Sequence, residues 1–560
     1  MEKDYSKLGK EDLIKIVEKL ESRKKYGLIW DEEKVKEQFE KDAQNTLPVL
    51  KEIKGKEITD KNDSKPINIL IEGDNYHALS VLNFTHQGKI DVIYIDPPYN
   101  TGNKSWKYNN DYVEKDDEWK HSKWISFMSK RLRLAKTLLS EQGALICAID
   151  HNEQEALGLL LKEIFPEREV TCVTIIHNPR GIQGDNFSYT HEYAYFVYPS
   201  GKYINRKKRT EEDQEWSNLR NWGGESTRQD GKSLFYPIYF KGDKIIKIGE
   251  TPKDNFHPTK PFLKSKNGEM EIWPIDNNGI ERKWRYSRET LSEILGQIRL
   301  VDMRGILQVQ ILKSEDRYKT VWTDSKYDAS VYGTQLVKEI VGKEFPFPKS
   351  LYAVKDCIEA VAADKPNAIV LDFFAGSGTT GHAVLDLNKS DNGNRSFILC
   401  TNNEGSICEE ITVERIRKII KGYEKKNGDD EPGYGGALKY FKTKFIKNSV
   451  NPDDFKKRIT EECTEMLCLR ENIFDEVKSE NEYRIFKQGD KILAAYYALE
   501  RKGLRELKKE LDKLDGDKVL YCFTLDPLGL DKKDFKGWND VTLEPIPQKI
   551  LDVYKQIYEY

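Results

Sequence analysis

Apolar and polar positions along the chain alternate between two rhythms, and the change of rhythm marks its parts. Glu11 to Lys25 carries Leu13, Val17 and Leu20 at helical spacing and predicts an amphipathic helix. After the polar run Asp60 to Lys65, Ile67 to Ile71 reads as a buried strand, and strands and helices then alternate to about Tyr198. Within that stretch Val92-Ile93-Tyr94-Ile95 and Ala144 to Ile149 predict strands. Trp124 to Leu139, with Phe127, Met128, Arg131, Leu132, Ala135 and Leu138 on one face, predicts a helix, as does Leu157 to Phe165. This is α/β architecture.

From Ser200 to Ser330 helical periodicity fades and short β-like runs, such as Leu234 to Phe240 and Lys244 to Ile248, stand among scattered Gly, Asn, Trp and Pro. The regular alternation resumes with Gly333 to Ile340, a helix over Ala353 to Val361, the buried strand Ala368 to Leu371, the helical pattern from His382 and a strand over Asn394 to Cys400. Beyond about Tyr440 the runs Tyr483 to Phe486, Ile492 to Tyr497, Leu504 to Leu514 and Val519 to Thr524 predict a small α+β tail. The divisions expected are therefore 1–60, a helical segment; 61–199 and 331–440, two parts of one α/β domain; 200–330, an inserted domain; and 441–560, the α+β tail.

Two strands end on chemistry. Asp96-Pro97-Pro98-Tyr99 follows the strand at 92–95, and strand ends in open α/β sheets are where ligands bind. Two prolines stiffen the segment and add no N–H donors. The Asp96 carboxylate and the Pro97 carbonyl can accept from one exocyclic amine, and Tyr99 offers a face on which a base can stack. Far downstream, Asp372-Phe373-Phe374-Ala375-Gly376-Ser377-Gly378-Thr379-Thr380-Gly381 joins a strand to a helix. Its glycines let backbone approach a ligand closely and the helix start supplies free N–H groups. It has neither the Gly-x-Gly-x-x-Gly spacing of dinucleotide sites nor a Gly-Lys-Ser/Thr phosphate clamp.

Together these two motifs resemble the amino-methylating, S-adenosylmethionine-dependent DNA methyltransferases. Their order, amine motif first and cofactor motif last, resembles the permuted β class, and within it the modification (Mod) subunits of type III restriction-modification systems. Flanking matches are Ile71-Glu72-Gly73-Asp74-Asn75-Tyr76-His77-Ala78-Leu79, Asn100-Thr101-Gly102, Thr190-His191-Glu192-Tyr193 and Phe345-Pro346-Phe347-Pro348-Lys349-Ser350. The resemblance runs from roughly Leu13 to Phe445. It implies a Rossmann-like permuted methyltransferase fold of the α/β class, with 200–330 as a target-recognition domain and 441–560 as a small α+β C-terminal domain.

The resemblance further implies transfer of a methyl group to the N6 amine of an adenine flipped out of double-stranded DNA. Asp96, Pro97, Pro98 and Tyr99 are then the catalytic residues. Asp372 to Thr380 form the cofactor pocket, with Asp74 and Lys349 near it. An acid normally holds the cofactor ribose at the end of the next strand. Here Thr401-Asn402-Asn403 precedes Glu404, so Glu404 and Asn402 both stand as candidates. The family's N4-cytosine members usually carry Ser at the position of Asp96, which favours adenine. A solitary methyltransferase, or a DNA-binding specificity subunit for a nuclease partner, shares these features. The expected partners are duplex DNA, a second copy in a homodimer, and a separate helicase-nuclease restriction subunit whose phosphate-loop motif this chain does not carry.

Composition narrows the picture. The 560 residues are 38% hydrophobic and 33% charged with a net charge of −3, so DNA affinity has to be local. Residues 200–330 hold 25 Lys and Arg against 20 Asp and Glu. Their clusters Arg206-Lys207-Lys208-Arg209 and Arg282-Lys283-Trp284-Arg285-Tyr286, with Arg228, make Arg206, Lys207, Lys208, Arg228, Arg282, Lys283 and Arg285 the candidate DNA contacts, beside Asn100. Glu211-Glu212-Asp213 directly follows the first cluster, which reads equally as a solvated charge run. Eight cysteines without a Cys-x-x-Cys pair read as reduced thiols, Cys463 and Cys468 included. Eight histidines form no His-x-x-x-His pair, so no metal site is expected. The opening Met1-Glu2-Lys3-Asp4 has no apolar signal segment and no long apolar run occurs, which predicts a cytoplasmic protein.

Overall fold

A computed structural model describes residues 46–59, 65–101, 120–183, 186–303, 305–449, 451–526 and 528–558, together with Gly9, Lys10, Leu13, Ile14 and Trp30. All of the helix expected over Glu11 to Lys25 but Leu13 and Ile14, and the Gly102 of the flanking match, lie outside these residues. The chain divides into two compact units, 1–205 with 319–560, and 206–318.

The larger unit is built on a ten-stranded sheet. Its strands in chain order are β1 (Thr46–Glu52), β2 (Ile67–Glu72), β3 (Ile90–Ile95), β4 (Leu139–Ile149), β5 (Arg168–Ile176), β6 (His191–Pro199), β7 (Val321–Trp322), β8 (Ile369–Asp372), β9 (Ser396–Thr401) and β10 (Ala437–Lys447). In space they run β1-β10-β2-β9-β8-β3-β4-β6-β5-β7. The six from β10 to β4 are parallel, and β6 lies antiparallel between β4 and β5. The central strands read as unbroken apolar runs because helices cover both faces. They are α1 (Asn75–Thr85), α2 (Lys120–Leu138), α3 (Gln154–Ile164), α4 (Leu351–Ala362), α5 (Thr379–Asp391) and α6 (Val413–Lys421).

Register places the two motifs side by side. Val370 and Leu371 of β8 pair in parallel with Val92 and Ile93 of β3. From β8 the chain crosses through α5 to β9 on one side, and from β3 it crosses through α2 to β4 on the other. Crossovers that diverge in this way leave a crevice beyond the carboxyl ends of the two strands, the usual ligand site of such sheets. Asp96 to Tyr99 and Asp372 to Gly378 both lie there.

Two expectations are corrected. The segment 1–60 is not wholly helical, since Thr46–Glu52 is a strand paired antiparallel with β10 from Thr46 opposite Lys447 to Glu52 opposite Phe441. The expected division at 440 falls inside β10, so the tail begins only after the large sheet is complete. The tail carries five strands, Asp475–Ser479, Tyr483–Gln488, Lys491–Tyr496, Asp517–Phe523 and Val541–Ile546. Its Met466, Leu467, Tyr521 and Ile550 share one core with Leu79 and Leu82 of α1. That cover explains why all eleven residues of α1 are buried.

The unit 206–318 holds a four-stranded sheet, a three-stranded sheet and a two-stranded ribbon. Its core is Leu219, Tyr236, Ile238, Phe240, Ile272, Trp284, Leu291, Ile298, Val309 and Ile311. Of the expected run Leu234 to Phe240, only Ile238–Lys241 is strand, because Lys232–Leu234 closes a 3-10 turn first.

Candidate active site

Asp96 to Tyr99 follows β3 outside any strand or helix, and a buried tryptophan fixes its direction. Trp124 of α2, fully buried, donates from Nε1 to the Pro98 carbonyl at 2.7 Å. Proline supplies no N–H for a sheet bond, so this side-chain donor gives the segment its anchor. Asn100 follows with φ 56°. Its amide donates to Glu153 and to the Lys120 carbonyl, and the residue is buried. These bonds hold Asn100 in the fold, so its expected part as a DNA contact is withdrawn.

Lys349, expected by resemblance near the cofactor, stands against this motif. Its Nζ lies 3.2 Å from Asp96 Oδ1 and 2.7 Å from Glu192 Oε2, donates to the Tyr99 hydroxyl, and sits 4.4 Å from the centre of the Tyr99 ring. The Tyr99 hydroxyl donates to the same Glu192 oxygen at 3.2 Å. Burial raises the pKa of Asp96 despite Lys349. Burial also works to raise Glu192, but Lys349 and His177 outweigh it and hold Glu192 below the ordinary carboxylate range. Lys349 is pushed up, its burial overcome by the two carboxylates. A lysine placed between a buried and a half-buried carboxylate stays charged.

The second motif forms a turn between β8 and α5. Asp372 Oδ1 accepts from the Phe374 N–H at 2.9 Å and its other oxygen from the Thr380 hydroxyl, so this carboxyl closes the turn on itself. Burial drives its pKa up to about 7. Phe373 is fully buried in the core, and Phe374 packs against it and against Phe127. Gly376 and Gly378 have φ of 47° and 76°, where side chains are strained. A Cβ there would lie 3.4 Å from the Phe345 ring and 3.3 Å from Thr412.

Beneath the turn lies Arg415 of α6, fully buried and without an ion pair among the described residues. It donates to the Thr379 hydroxyl at 2.8 Å and to Ser377, while its Nε has no partner. Burial lowers its pKa to about 9. Asp74 caps α1 by accepting from the Tyr76 N–H, and Asn75 donates to the Phe373 carbonyl at 3.1 Å, which ties α1 to the turn. Asp74 stays 40% exposed, with Arg131 at 3.8 Å. Glu404 is exposed in a 3-10 turn after β9, and Asn402 accepts its N–H at 3.4 Å.

Asp96-Pro97-Pro98-Tyr99 and a glycine turn thus end adjacent parallel strands in the crevice of a diverging sheet. The N6/N4 DNA methylase family model matches residues 90–421. The chain belongs to this family. The type II methyltransferase M.KpnI of Klebsiella pneumoniae is 32% identical over 61% of this chain and 82% of its own. The type III EcoPI Mod subunit of Escherichia phage P1 is 28% identical over 63% of this chain and 62% of its own. The StyLTI Mod subunit of Salmonella typhimurium is 27% identical over 63% and 57%. The chain thus spans less than two thirds of these two Mod subunits. Among solved structures, the M1.HpyAVI–SAM complex is 14% identical, covering 62% of this chain and 98% of its own at a TM-score of 0.28.

In this methylase the basic residues expected to meet DNA divide by their partners within 206–318. Arg228 is buried and donates to Glu281 and to the carbonyls of Lys253 and Phe256, so its expected role as a DNA contact is corrected to a fold-holding one. Arg282 pairs with Asp276 at 2.9 Å. Arg206, Lys207 and Lys208 form a strand opposite Arg317, Asp316 and Glu315, with Arg206 and Lys208 exposed. Arg285 is exposed with Ser217 as partner, and Lys283 donates to the Asp230 carbonyl at 3.2 Å.

Sequence reasoning passed over Trp222, which is 52% exposed with the guanidinium carbons of Arg220 and Arg282 at 4.7 and 5.6 Å from its ring. The signal for it was Arg220-Asn221-Trp222, basic and aromatic residues interleaved. Glu192 and Arg415 were also missed as site residues. Glu192 lay within a flanking match, but nothing local marks Arg415.

Proposed function

We propose that the chain transfers a methyl group from S-adenosylmethionine to the N6 amine of an adenine flipped out of double-stranded DNA, and serves as the modification and specificity subunit of a type III restriction-modification system. The observation that carries the reading is the adjacency of Asp96-Pro97-Pro98-Tyr99 and the glycine turn on neighbouring strands. The turn suits the cofactor: its two glycines adopt positive φ that side chains would strain, Asp74 keeps a partly exposed carboxylate, and a guanidinium nitrogen of Arg415 without a hydrogen-bond partner lies beneath it. Phe374, Ala375, Gly376, Gly378, Thr379 and Asp74 would hold S-adenosylmethionine, with Glu404 or Asn402 at its ribose. When bound it supplies an electrophilic methyl group on a sulfonium.

The chain's own residues do the positioning. An adenine amine is a weak nucleophile because its lone pair is delocalised, and extrusion from the duplex costs a few kcal/mol. The Tyr99 ring, fixed by Lys349 and Glu192, stacks the base. Asp96 and the Pro97 carbonyl accept its two N–H bonds, which aims the nitrogen lone pair, and most of the rate comes from this placement. Aspartate at position 96 suits adenine rather than cytosine, by resemblance.

Within 206–318, Trp222, Arg206, Lys208 and Arg285 are assigned to DNA as parts of a target-recognition domain. A homodimer, a helicase-nuclease partner and a cytoplasmic location complete the reading; no helix of the described residues is long and apolar enough to cross a membrane. The 82% span of a type II methyltransferase favours a second reading, an enzyme that modifies DNA without such a partner. Methylation-sensitive sequencing of DNA exposed to the protein tests both base and site. N6-methyladenine at one short sequence is expected, lost in Asp96→Ala and Tyr99→Ala. Label on cytosine, or unchanged incorporation in either variant, would overturn the assignment.

A further inference from the structure

Glu192 lies at the centre of the contacts around Tyr99, yet the amine-holding step gives its charge no task. It is placed by β6, opposite Ile175 of β5, and its side chain is 6% exposed. A single oxygen, Oε2, accepts from both Lys349 and the Tyr99 hydroxyl. Lys349 reaches Asp96 from the same position at 3.2 Å, half an ångström longer than its 2.7 Å bond to Glu192. Two carboxylates therefore share one ammonium, Glu192 shielded from solvent and Asp96 half-buried with its side chain 27% exposed. The group carries one net negative charge, and its location decides whether Asp96 can receive a neutral amine.

Both extremes fail chemically. If Lys349 closed fully on Asp96, it would occupy the acceptor that the target N–H needs. If the ammonium were absent, the like charge of buried Glu192 beside half-buried Asp96 would raise the proton affinity of the pair and favour protonation of one of them. We propose that Glu192 is a positioning residue: it holds the Lys349 ammonium off Asp96, so that Asp96 remains an ionised acceptor for the target amine, and with the same oxygen it sets the Tyr99 ring. This rests on the amine-pocket reading given above. The proton affinities agree with the geometry, since Asp96 is raised while Glu192 is lowered.

Charge sharing predicts a reversal that mere structural support does not. The test is a cycle of Glu192→Gln, Lys349→Met and the double variant in the full chain, read by steady-state methyl incorporation into duplex DNA and by thermal midpoint. Glu192→Gln keeps an acceptor for the Tyr99 hydroxyl but releases Lys349 onto Asp96, so kcat falls about tenfold while KM for DNA changes little. Lys349→Met leaves two unpaired acids and falls roughly a hundredfold. The double variant leaves Asp96 as the one carboxylate, and its kcat exceeds that of Lys349→Met by about tenfold, with a higher midpoint as well.

A double variant at or below the product of the singles, with the lowest midpoint of the series, would overturn the inference. If the parent protein transfers no methyl to any DNA, the function proposed above fails, while the order of the midpoints still decides whether the charges are shared.

Discussion

Asp372 pays a cost for its place in the glycine turn, and that cost has a measurable pH dependence. It is 2% exposed, and its two oxygens accept from the Phe374 N–H and the Thr380 hydroxyl. Burial lifts its pKa from the ordinary 3.8 to about 7. A folded-state value above the unfolded one means that the fold favours the neutral acid. The cost is therefore absent below about pH 4, grows as pH rises toward about 7, and is constant beyond. About three pH units at about 1.4 kcal/mol each make it about 4 kcal/mol at its plateau.

Asp372→Asn removes that ionisation and keeps both contacts. Its carbonyl accepts from Phe374 and its amide donates to the Thr380 oxygen. Denaturant unfolding at about pH 5 and about pH 8 reads the difference, since roughly 3 kcal/mol of the cost develops between them. The wild type should lose that much stability relative to the variant over this interval. Parallel stability curves, or a variant that loses ground at the higher pH, would refute the reasoning.

Two further substitutions probe how the Asp96 to Tyr99 segment and Lys349 are held. Trp124→Phe removes the donor to Pro98 and leaves a void at a fully buried position, so chemical denaturation should show a loss of about 2–3 kcal/mol. Methyl transfer should fall with binding of S-adenosylmethionine retained, and a loss under about 0.5 kcal/mol would deny the anchor. Gly333→Ala would place a methyl 2.4 Å from the Pro348 carbonyl oxygen, a backbone atom. The Pro348-Lys349 segment must shift, so a loss of about 1–3 kcal/mol should accompany a lower kcat; a variant matching the wild type in both would show that the segment yields freely.

The sequence by itself determined the parts whose logic is local. Asp96 to Tyr99 and Asp372 to Gly378 were legible because each is a short motif closing an apolar strand, and a prolyl or glycyl backbone carries its geometry with it. The permuted order of the motifs was legible for the same reason. Where a long side chain ends, by contrast, depends on elements distant along the chain. Lys349 was expected near the cofactor by resemblance, but its two carboxylate partners were not legible, because β3 and β6 bring Asp96 and Glu192 to it from 253 and 157 residues away. Arg228 looked like a DNA contact until Glu281 and two carbonyls claimed its guanidinium.

Strand β1 escaped notice because it exists only where β10, about four hundred residues later, offers an edge to pair with. Charge makes the same point about the site. One ammonium divided between buried Glu192 and half-buried Asp96 is a property of their spacing, and tertiary structure alone sets that spacing.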